Sequence, residues 1–494
     1  MLTIQIVMIV YIAICAGIGI YTSKYQTNAE EFYVAGKRLG PVVLGLAISS
    51  TIMSGMGFVG SIGGIYRDGY APMTIMIFAT VGTMISYLLL AEPLRRVSGK
   101  FGYITLADFA YNRFGKSEGT RLVVTLSTII AVTGYIMTNL AALGTVVALV
   151  TGWSYFTSLT VGVIVVGVYV LLGGMLAAAL TDAFQSILMM FLGVAFAVVA
   201  IYNSGGMTSM NEVLGRVKDL NTFIRPGTGY GWIYFIGTAL MYGFGVGGQP
   251  HVVNKFYQIN KKSQWKTSMF IATLSYFLVG ASHIAGLGGR AGTILGKFPD
   301  TLANVNNMSS IFAMQYFPPI VAGILLSAIV AAMMSTCDSQ VVTVTSALCR
   351  DFILRYIYKK KLSDKQEMLA TRICIGAIIL ISYLLVFRPP TLIMWMGNGA
   401  WGIGASVLIP ILVLGSRWKR GNRIAAIVAG WVGIAGSFGL VVLSSLKLIV
   451  LPVNAAVIGT ICSTVVYIVM TFALPDEPNE LVTILHDKSE VDSD

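Results

Sequence analysis

Charged residues are scarce in this chain. Asp, Glu, Lys and Arg make up 11% of its 494 residues, whereas an average soluble protein has ~25%. Sixty consecutive residues between Arg121 and Asp182 contain none of the four, which is enough for two membrane crossings of about twenty residues each. The apolar stretches also lack the ~10-residue alternating segments of an outer-membrane barrel. The composition excludes a soluble enzyme and predicts an all-α integral membrane protein in a lipid bilayer.

Cysteine and histidine are also rare. The five cysteines are scattered, without a CxxC pair or a Cys/His spacing typical of zinc sites. The three histidines, His251, His283 and His486, form no metal-binding or catalytic-triad pattern. A disulfide framework, a structural zinc and an enzyme are therefore not predicted. The N-terminus is apolar from the start and has no basic region before it, so we interpret it as a retained helix.

Hydropathy predicts about thirteen transmembrane helices. With the N-terminus outside, the cytoplasmic loops and helix ends contain 25 of the 33 Lys and Arg residues, as the positive-inside rule requires. The net charge of +12 is therefore interpreted as a topology signal, and no nucleic-acid partner is expected. We expect a multi-pass protein of the plasma (inner) membrane with a cytoplasmic C-terminus. The predicted spans are 3–22, 41–66, 72–92, 122–149, 153–172, 180–203, 231–250, 266–288, 318–348, 370–388, 391–414, 423–442 and 448–474.

Residues 1–474 are predicted to form a single transporter domain. A short acidic cytoplasmic tail follows at 475–494, and it has too few apolar residues for a second domain. We expect this tail to be disordered.

Two spans are rich in glycine and small polar residues. The second contains Gly55, Gly57 and Gly60, and the seventh contains Gly245 and Gly248. Paired interrupted helices in corresponding positions are typical of inverted-repeat transporters. This predicts a 5+5 inverted repeat, with repeat one at 41–203, repeat two at 231–414, a first helix at 3–22 and two last helices at 423–474. The alternative is that these glycines serve only helix packing.

Polar residues cluster in the ninth span. Ser335, Asp338 and Ser339 share one helix face, and Thr336 lies one step round. An acid at membrane depth needs a cavity, a partner or a cation, and hydroxyls with a carboxylate suit a hard cation. Isolated Ser and Thr hydroxyls can instead bond carbonyls of their own helix. A second acid, Asp182, either caps the start of the sixth span or serves a second cation.

Five blocks resemble the sodium:solute symporter family, whose members share the leucine-transporter-like inverted-repeat fold. The resemblance covers nearly the whole chain. Among the members of the family, the chain is similar to the proline and pantothenate types. PPIVAGILLSAIVAAMMSTCDSQ is the most specific block. The others are EEFYVAGKRLGP, FGYITLADFAYNRFG, LLGGMLAAALTDAFQ and GFGVGGQPHVVNKFY.

The resemblance implies Na+ as the coupling ion. It assigns one sodium site to the carbonyls of Ser50, Met53 and Ala332 with the hydroxyls of Ser335 and Thr336, which we call the sodium ligand set. As in sialic acid symporters, a second sodium or release site would use Asp182, Asp338 and Ser339, which we call the acid set.

By the same resemblance, the solute lies between the second and seventh spans. The residues implied are Ser54, Gly55, Met56, Tyr135, Thr138, Asn139, Tyr242, Gly245, Val246 and Gln249. His251 is interpreted as an interfacial residue, with proton transfer as the alternative. Trp401 is interpreted as packing, and Lys255 as a topology signal.

The predicted function is sodium-coupled import of a small organic solute by alternating access, with a monomer as the functional unit. Proline-type members carry an aromatic pair where Tyr242 and Val246 stand. The pair is not complete here, because position 246 is a valine, and this favours a pantothenate-like monocarboxylate. A proline-type amino acid or a sugar remains the alternative solute. An ion channel or a symporter-like sensor would be a different class, but the sequence has no filter repeat and no output domain.

Overall fold

The computed structural model describes residues 1–23, 39–259, 261, 264–359, 362–388, 393–451, 453–477 and 480–486. Most of the EEFYVAGKRLGP block and the end of the tail lie outside the described residues. The described part is helical and contains no strand. The predicted all-α class is confirmed.

In the first half of the chain, the described residues form nine α-helices and three short segments of other helical type. The helices are α1 Leu2–Ser23, α2 Pro41–Ile52, α3 Ile62–Asp68, α4 Thr74–Ser86, α5 Glu92–Phe101, α6 Leu106–Arg113, α7 Glu118–Thr151, α8 Tyr155–Asn203 and α9 Met207–Gly215. The other segments are the π-helices Met56–Ser61 and Tyr87–Ala91 and the 3-10 turn Ala71–Met73.

The second half contains thirteen further α-helices among the described residues. They are α10 Trp232–Gly243, α11 Pro250–Val253, α12 Gln264–Gly280, α13 Ile284–Ile294, α14 Met308–Tyr316, α15 Pro319–Thr345, α16 Asp364–Leu385, α17 Ile393–Leu408, α18 Gly415–Arg417, α19 Arg423–Ile434, α20 Leu440–Ser445, α21 Ala455–Ala473 and α22 Glu480–His486. Between them lie 3-10 turns at Gly245–Gly248, Asn254–Gln258, Ala281–His283 and Leu302–Asn307, and π-helices at Ser346–Tyr358, Ile409–Leu414 and Ala435–Gly439.

Within the described residues, ten helices are long and apolar enough to cross a membrane. An eleventh span is formed if α2 and the helix Met56–Asp68, which are bent by 51° at a break, count together. Two predicted spans fall short of this criterion: 153–172 corresponds to the short apolar stretch Tyr155–Val168, and 231–250 is divided between α10 and α11. The multi-pass fold is confirmed, but the count of thirteen is not.

The helices that carry the predicted site lie inside the bundle. α15 packs against α7 and α8, and α2 packs against α8 and α12. α17, which is also enclosed, packs against α7 and α21, while α1 covers α8 and α15 from the outside. The broken helix α2 and the enclosed helix α15 therefore meet at the centre of the protein.

The tail differs from the prediction of disorder. Glu480–His486 is a helix that buries Leu481, Val482 and Ile484. Arg96 donates a hydrogen bond to the carbonyl of Ile484 at 2.8 Å. The prediction was wrong for this segment because three apolar residues in a short acidic sequence are enough to dock it onto a preformed surface.

Candidate functional site

Both spans predicted to be interruptible are interrupted. α2 ends at Ile52, and Met53 is extended with φ −78° and ψ 126°. In the seventh span, α10 ends at Gly243 and Gln249 is extended before α11 begins at Pro250. These breaks leave backbone carbonyl and N–H groups without helical partners, so they are available to bind ions or solute.

Two glycines at the breaks allow close approach of neighbouring helices. A Cβ on Gly55 would lie 2.4 Å from the Cβ of Ala142 in α7. A Cβ on Gly248 would lie 2.7 Å from the Cα of Ala405 in α17. Close packing and helix interruption therefore occur at the same positions, so these glycines do not serve helix packing only.

The structure brings the sodium ligand set together. The Ser335 hydroxyl lies 3.1 Å from the carbonyl oxygen of Ser50 and 3.2 Å from that of Ala332. The Thr336 hydroxyl lies 2.8 Å from the Met53 carbonyl and 2.9 Å from the Ala332 carbonyl. All five residues are buried. The set is a compact group of hydroxyl and carbonyl oxygens, the donor type that hard cations prefer.

Thr51 also belongs to this region, although the sequence did not single it out as a ligand. Its carbonyl accepts a hydrogen bond from Thr336 at 3.3 Å. Its hydroxyl points the other way, 3.3 Å from the Asp182 carboxylate and 3.2 Å from the Ser339 hydroxyl. Thr51 therefore connects the sodium ligand set to the acid set.

Asp182 lies well inside α8, which begins at Tyr155. The interpretation that it caps a helix is therefore wrong. Its carboxylate oxygen Oδ2 accepts a hydrogen bond from the Lys255 ammonium at 2.8 Å, and both side chains are fully buried. The Ser339 hydroxyl is 3.4 Å from the same oxygen. Asp182 and Ser339 of the acid set are brought together, and Lys255 joins them.

Asp338, the third member of the acid set, is buried and accepts a hydrogen bond from the N–H of Ser339 at 2.6 Å. Its carboxylate interacts electrostatically with Tyr11 and Cys15 of α1. Asp338 therefore lies toward the side of α15 that α1 covers.

The first wall of the predicted solute site joins the break in α2 to α7. The hydroxyls of Ser54 and Tyr135 are 2.6 Å apart. The N–H of Gly55 donates to the Asn139 side-chain oxygen at 2.8 Å, and Asn139 in turn donates to Gln340 at 3.2 Å. Four residues predicted to contact the solute are therefore joined by direct polar contacts: Ser54 with Tyr135, and Gly55 with Asn139.

The second wall is formed by the other break and α17. Tyr242 donates to Asn398 and lies 3.7 Å from the sulfur of Met56. Its ring stacks on Trp401 with centroids 5.2 Å apart, and the Trp401 ring meets the Tyr135 ring edge-on at 5.9 Å. Trp401 is a packing residue, as expected from the sequence. It lies between the two walls, in contact with Tyr242 of one and Tyr135 of the other.

The other residues predicted to contact the solute do not all lie at the two walls. Gln249 donates to the carbonyls of Gly245 and Trp401, at 3.1 and 2.9 Å. Thr138 bonds the carbonyl of Gly134 in its own helix. The Val246 side chain faces Gly82 of α4, where it would lie 3.0 Å from an added Cβ. Gln249 therefore borders the second wall, whereas no described contact links Thr138 or Val246 to either wall.

Two residues after the second break were misinterpreted. His251 is buried rather than interfacial, with its ring centroid 5.6 Å from that of Tyr135, and neither ring nitrogen has a hydrogen-bond partner among the described residues. Lys255 is buried against Asp182. The i, i+4 spacing of His251 and Lys255 indicates that they share one face of a helical segment, but it does not show that this face is the inner one.

Comparisons with known proteins concern the chain as a whole. The model of the sodium:solute symporter family matches residues 32–433. The chain is similar to the sodium/proline symporter of Staphylococcus aureus strain bovine RF122 / ET3-1, with 28% identity over 436 residues, 86% of this chain and 84% of the relative.

Solved structures share the fold. A Na+-coupled sialic acid symporter in a substrate-bound outward-open state matches with a TM-score of 0.78 and 17% identity, over 96% of this chain and 98% of that chain. A nucleobase-cation-symport-1 family transporter matches with a TM-score of 0.52 and 15% identity, over 93% and 97%. The chain therefore belongs to the sodium:solute symporter family: it is a multi-pass membrane transporter, not an enzyme, and its coupling ion is Na+.

Proposed function

We propose that this protein imports a small organic solute bearing a carboxylate, together with sodium bound at the sodium ligand set. The observation that carries the proposal is the break in α2. Ser50 and Met53 offer their carbonyls to Ser335 and Thr336, while the next two residues, Ser54 and Gly55, contact Tyr135 and Asn139. One short irregular segment serves both sites, so binding of ion and solute is coupled through it.

The proximity of the two sites favours an anionic group on the solute. A sodium ion beside Met53 would place a positive charge next to Ser54, where it would offset a carboxylate in a site of low dielectric constant. The hydroxyls of Ser54 and Tyr135 can donate to that carboxylate, and His251 has an unused ring nitrogen beside Tyr135. A pantothenate-like monocarboxylate uses these groups without needing a partner for a second charge.

Proline is the second candidate. The relatives named sodium/proline symporters favour it, and it carries the same carboxylate. Its ammonium group would need acceptors, and the Asn398 side-chain oxygen beside Tyr242 is one such group. A sugar would leave the charge of the neighbouring sodium without an anionic partner.

We propose import in the topology with the N-terminus outside and the C-terminus in the cytoplasm, and a monomer as the functional unit. Sodium entering down a potential of ~100 mV supplies roughly 2.3 kcal/mol per charge, enough to concentrate an electrically neutral solute about 50-fold per ion. A monocarboxylate that enters with one sodium ion carries the opposite charge, so its accumulation is driven by the sodium concentration gradient. Import by this route is slow and saturable, unlike flux through a channel.

Uptake into proteoliposomes distinguishes the solutes. We expect saturable uptake of a labelled monocarboxylate in sodium but not in choline, and inhibition by other monocarboxylates. Sodium-dependent proline uptake that a hundredfold excess of monocarboxylate does not inhibit would transfer the assignment to proline. Uptake of an uncharged sugar under the same conditions would contradict the carboxylate proposal, and non-saturable sodium flux would indicate a channel.

Tyr135→Phe tests the first wall. It removes the hydroxyl that contacts Ser54 at 2.6 Å, and we expect the KM for the solute to rise about 10-fold, because a hydrogen bond to a charged group contributes roughly 1.5–3 kcal/mol. Tyr87→Phe is the matched control, since Tyr87 makes a similar buried hydroxyl contact with Ser268 at 2.7 Å between α12 and the π-helix that follows α4. Equal KM values for both variants would exclude Tyr135 from the solute site.

A further inference from the structure

A fully buried lysine is uncommon, and Lys255 is one. Its ammonium lies 2.8 Å from Asp182 Oδ2, with both side chains at 0% exposure. Lysine is almost never fully buried unless it is paired. Since the two charges are opposite and in direct contact, the pair is neutral as a unit.

The groups around this pair are those of a cation site. Besides the ammonium, Oδ2 of Asp182 is within 3.4 Å of the Thr51 and Ser339 hydroxyls, which are 3.2 Å from each other. A carboxylate with two hydroxyls is a suitable partial ligand set for a monovalent cation. The positive charge present at this carboxylate comes from the protein itself.

We infer that the Lys255 ammonium is a tethered cation that takes the place of a second sodium ion at Asp182, so that this protein binds one sodium ion, at the sodium ligand set. The inference rests on the proposed sodium ligand set for that one ion. It changes the expectation for the acid set, because Asp182 and Ser339 then hold a lysine rather than an ion.

Asp338, the other acid of the acid set, does not change the assignment of Lys255 as the cation at Asp182. Its described electrostatic partners Tyr11 and Cys15 lie on α1, whereas the Lys255 ammonium contacts Asp182 of α8. A second ion at Asp338 would nevertheless appear in a count of bound sodium, so the experiment also tests that possibility.

The tethered cation lies where the two broken helices meet α8. Lys255 follows the break between α10 and α11, whereas Thr51, which touches both Asp182 and Thr336, ends the first half of the other broken helix. The two broken helices are thus joined at Asp182 by a charge that stays with the protein. Sodium at the ligand set can leave, but the Lys255 charge cannot.

Equilibrium binding of radioactive sodium to the purified full-length protein tests the inference without knowledge of the solute. Measurements at pH 8.5 minimise competition by protons at Asp182. We expect one ion per molecule in the parent protein and two in Lys255→Met, because the Asp182 carboxylate, left without its ammonium partner, then takes a sodium ion. Lys261→Met, at an exposed lysine in the following loop, is the matched control and should bind one.

The double variant Asp182→Asn/Lys255→Met contains neither charge and should again bind one ion. It is the variant to measure if Lys255→Met alone does not fold. Two ions in the parent or in this double variant would overturn the inference, as would one ion in a folded Lys255→Met protein. Ser335→Ala tests the proposed sodium ligand set separately, because it should bind the single ion of the parent about 10- to 100-fold more weakly. Parental binding by Ser335→Ala would reject that set, whatever the count at Asp182.

Discussion

Ser335→Ala and Thr336→Ala are each expected to raise the sodium concentration for half-maximal binding and uptake about 10- to 100-fold. Each variant removes one hydroxyl oxygen from the sodium ligand set, and an interaction with a charged group contributes roughly 1.5–3 kcal/mol. The fold should survive, because alanine is a good helix former. Sodium titrations of uptake and of radioactive sodium binding measure the effect.

Ser327→Ala is the control on the same helix. Ser327 is also buried, and its hydroxyl bonds only the Gly323 carbonyl of α15, at 2.8 Å. Its loss should leave the sodium dependence unchanged. If Ser335→Ala and Thr336→Ala behave like Ser327→Ala at equal membrane expression, then these hydroxyls only bond backbone carbonyls and bind no ion.

Asp182→Asn is expected to reduce the free energy of unfolding by about 3–5 kcal/mol, because it leaves the Lys255 ammonium buried without its counter-charge. The double variant Asp182→Asn/Lys255→Met should recover most of the loss, since it contains neither charge. Unfolding of the purified protein in mixed detergent micelles measures both. With Lys255→Met measured in the same way, the variants complete a double-mutant cycle that yields the interaction energy of the pair.

Glu477→Gln is the contrasting case. It breaks the partly exposed pair between Glu477 and Arg423, with atoms 3.4 Å apart and side chains 32% and 58% exposed, and such pairs contribute at most about 1 kcal/mol. If Asp182→Asn is as mild as Glu477→Gln, Lys255 reaches water or another partner when Asp182 is neutral. A double variant no more stable than Asp182→Asn would also contradict the interpretation of a compensated buried pair.

The positions of the helix breaks could be predicted because their cause is local. Gly55, Gly57, Gly245 and Gly248 weaken the helices in which they lie, and Pro250 cannot donate the hydrogen bond that a continuous helix requires. The spacing of Ser335 and Thr336 likewise follows from helical periodicity. These features depend on residues close together in the chain, so they can be read before the fold is known.

The tail helix and the count of spans show where local patterns were insufficient. Glu480–His486 is too short to be stable alone, and it is held by contacts with residues distant in sequence such as Arg96. The tail helix is therefore decided by tertiary contacts. The count of thirteen spans is not confirmed for a different reason: the apolar stretch 231–250 was counted as one span, although its own glycines and Pro250 divide it between α10 and α11.

The sequence by itself determined the class of protein, the two broken helices and the oxygen-rich face of α15, because composition, glycine content and helical periodicity are properties of short segments. Only the tertiary structure decided the partners of Asp182 and the positions of His251 and Trp401. Lys255 looks like a topology signal in the sequence, since a lysine near a helix end normally reaches water. It is buried here because α8 brings a carboxylate to it from 73 residues away, and no local pattern records that pairing.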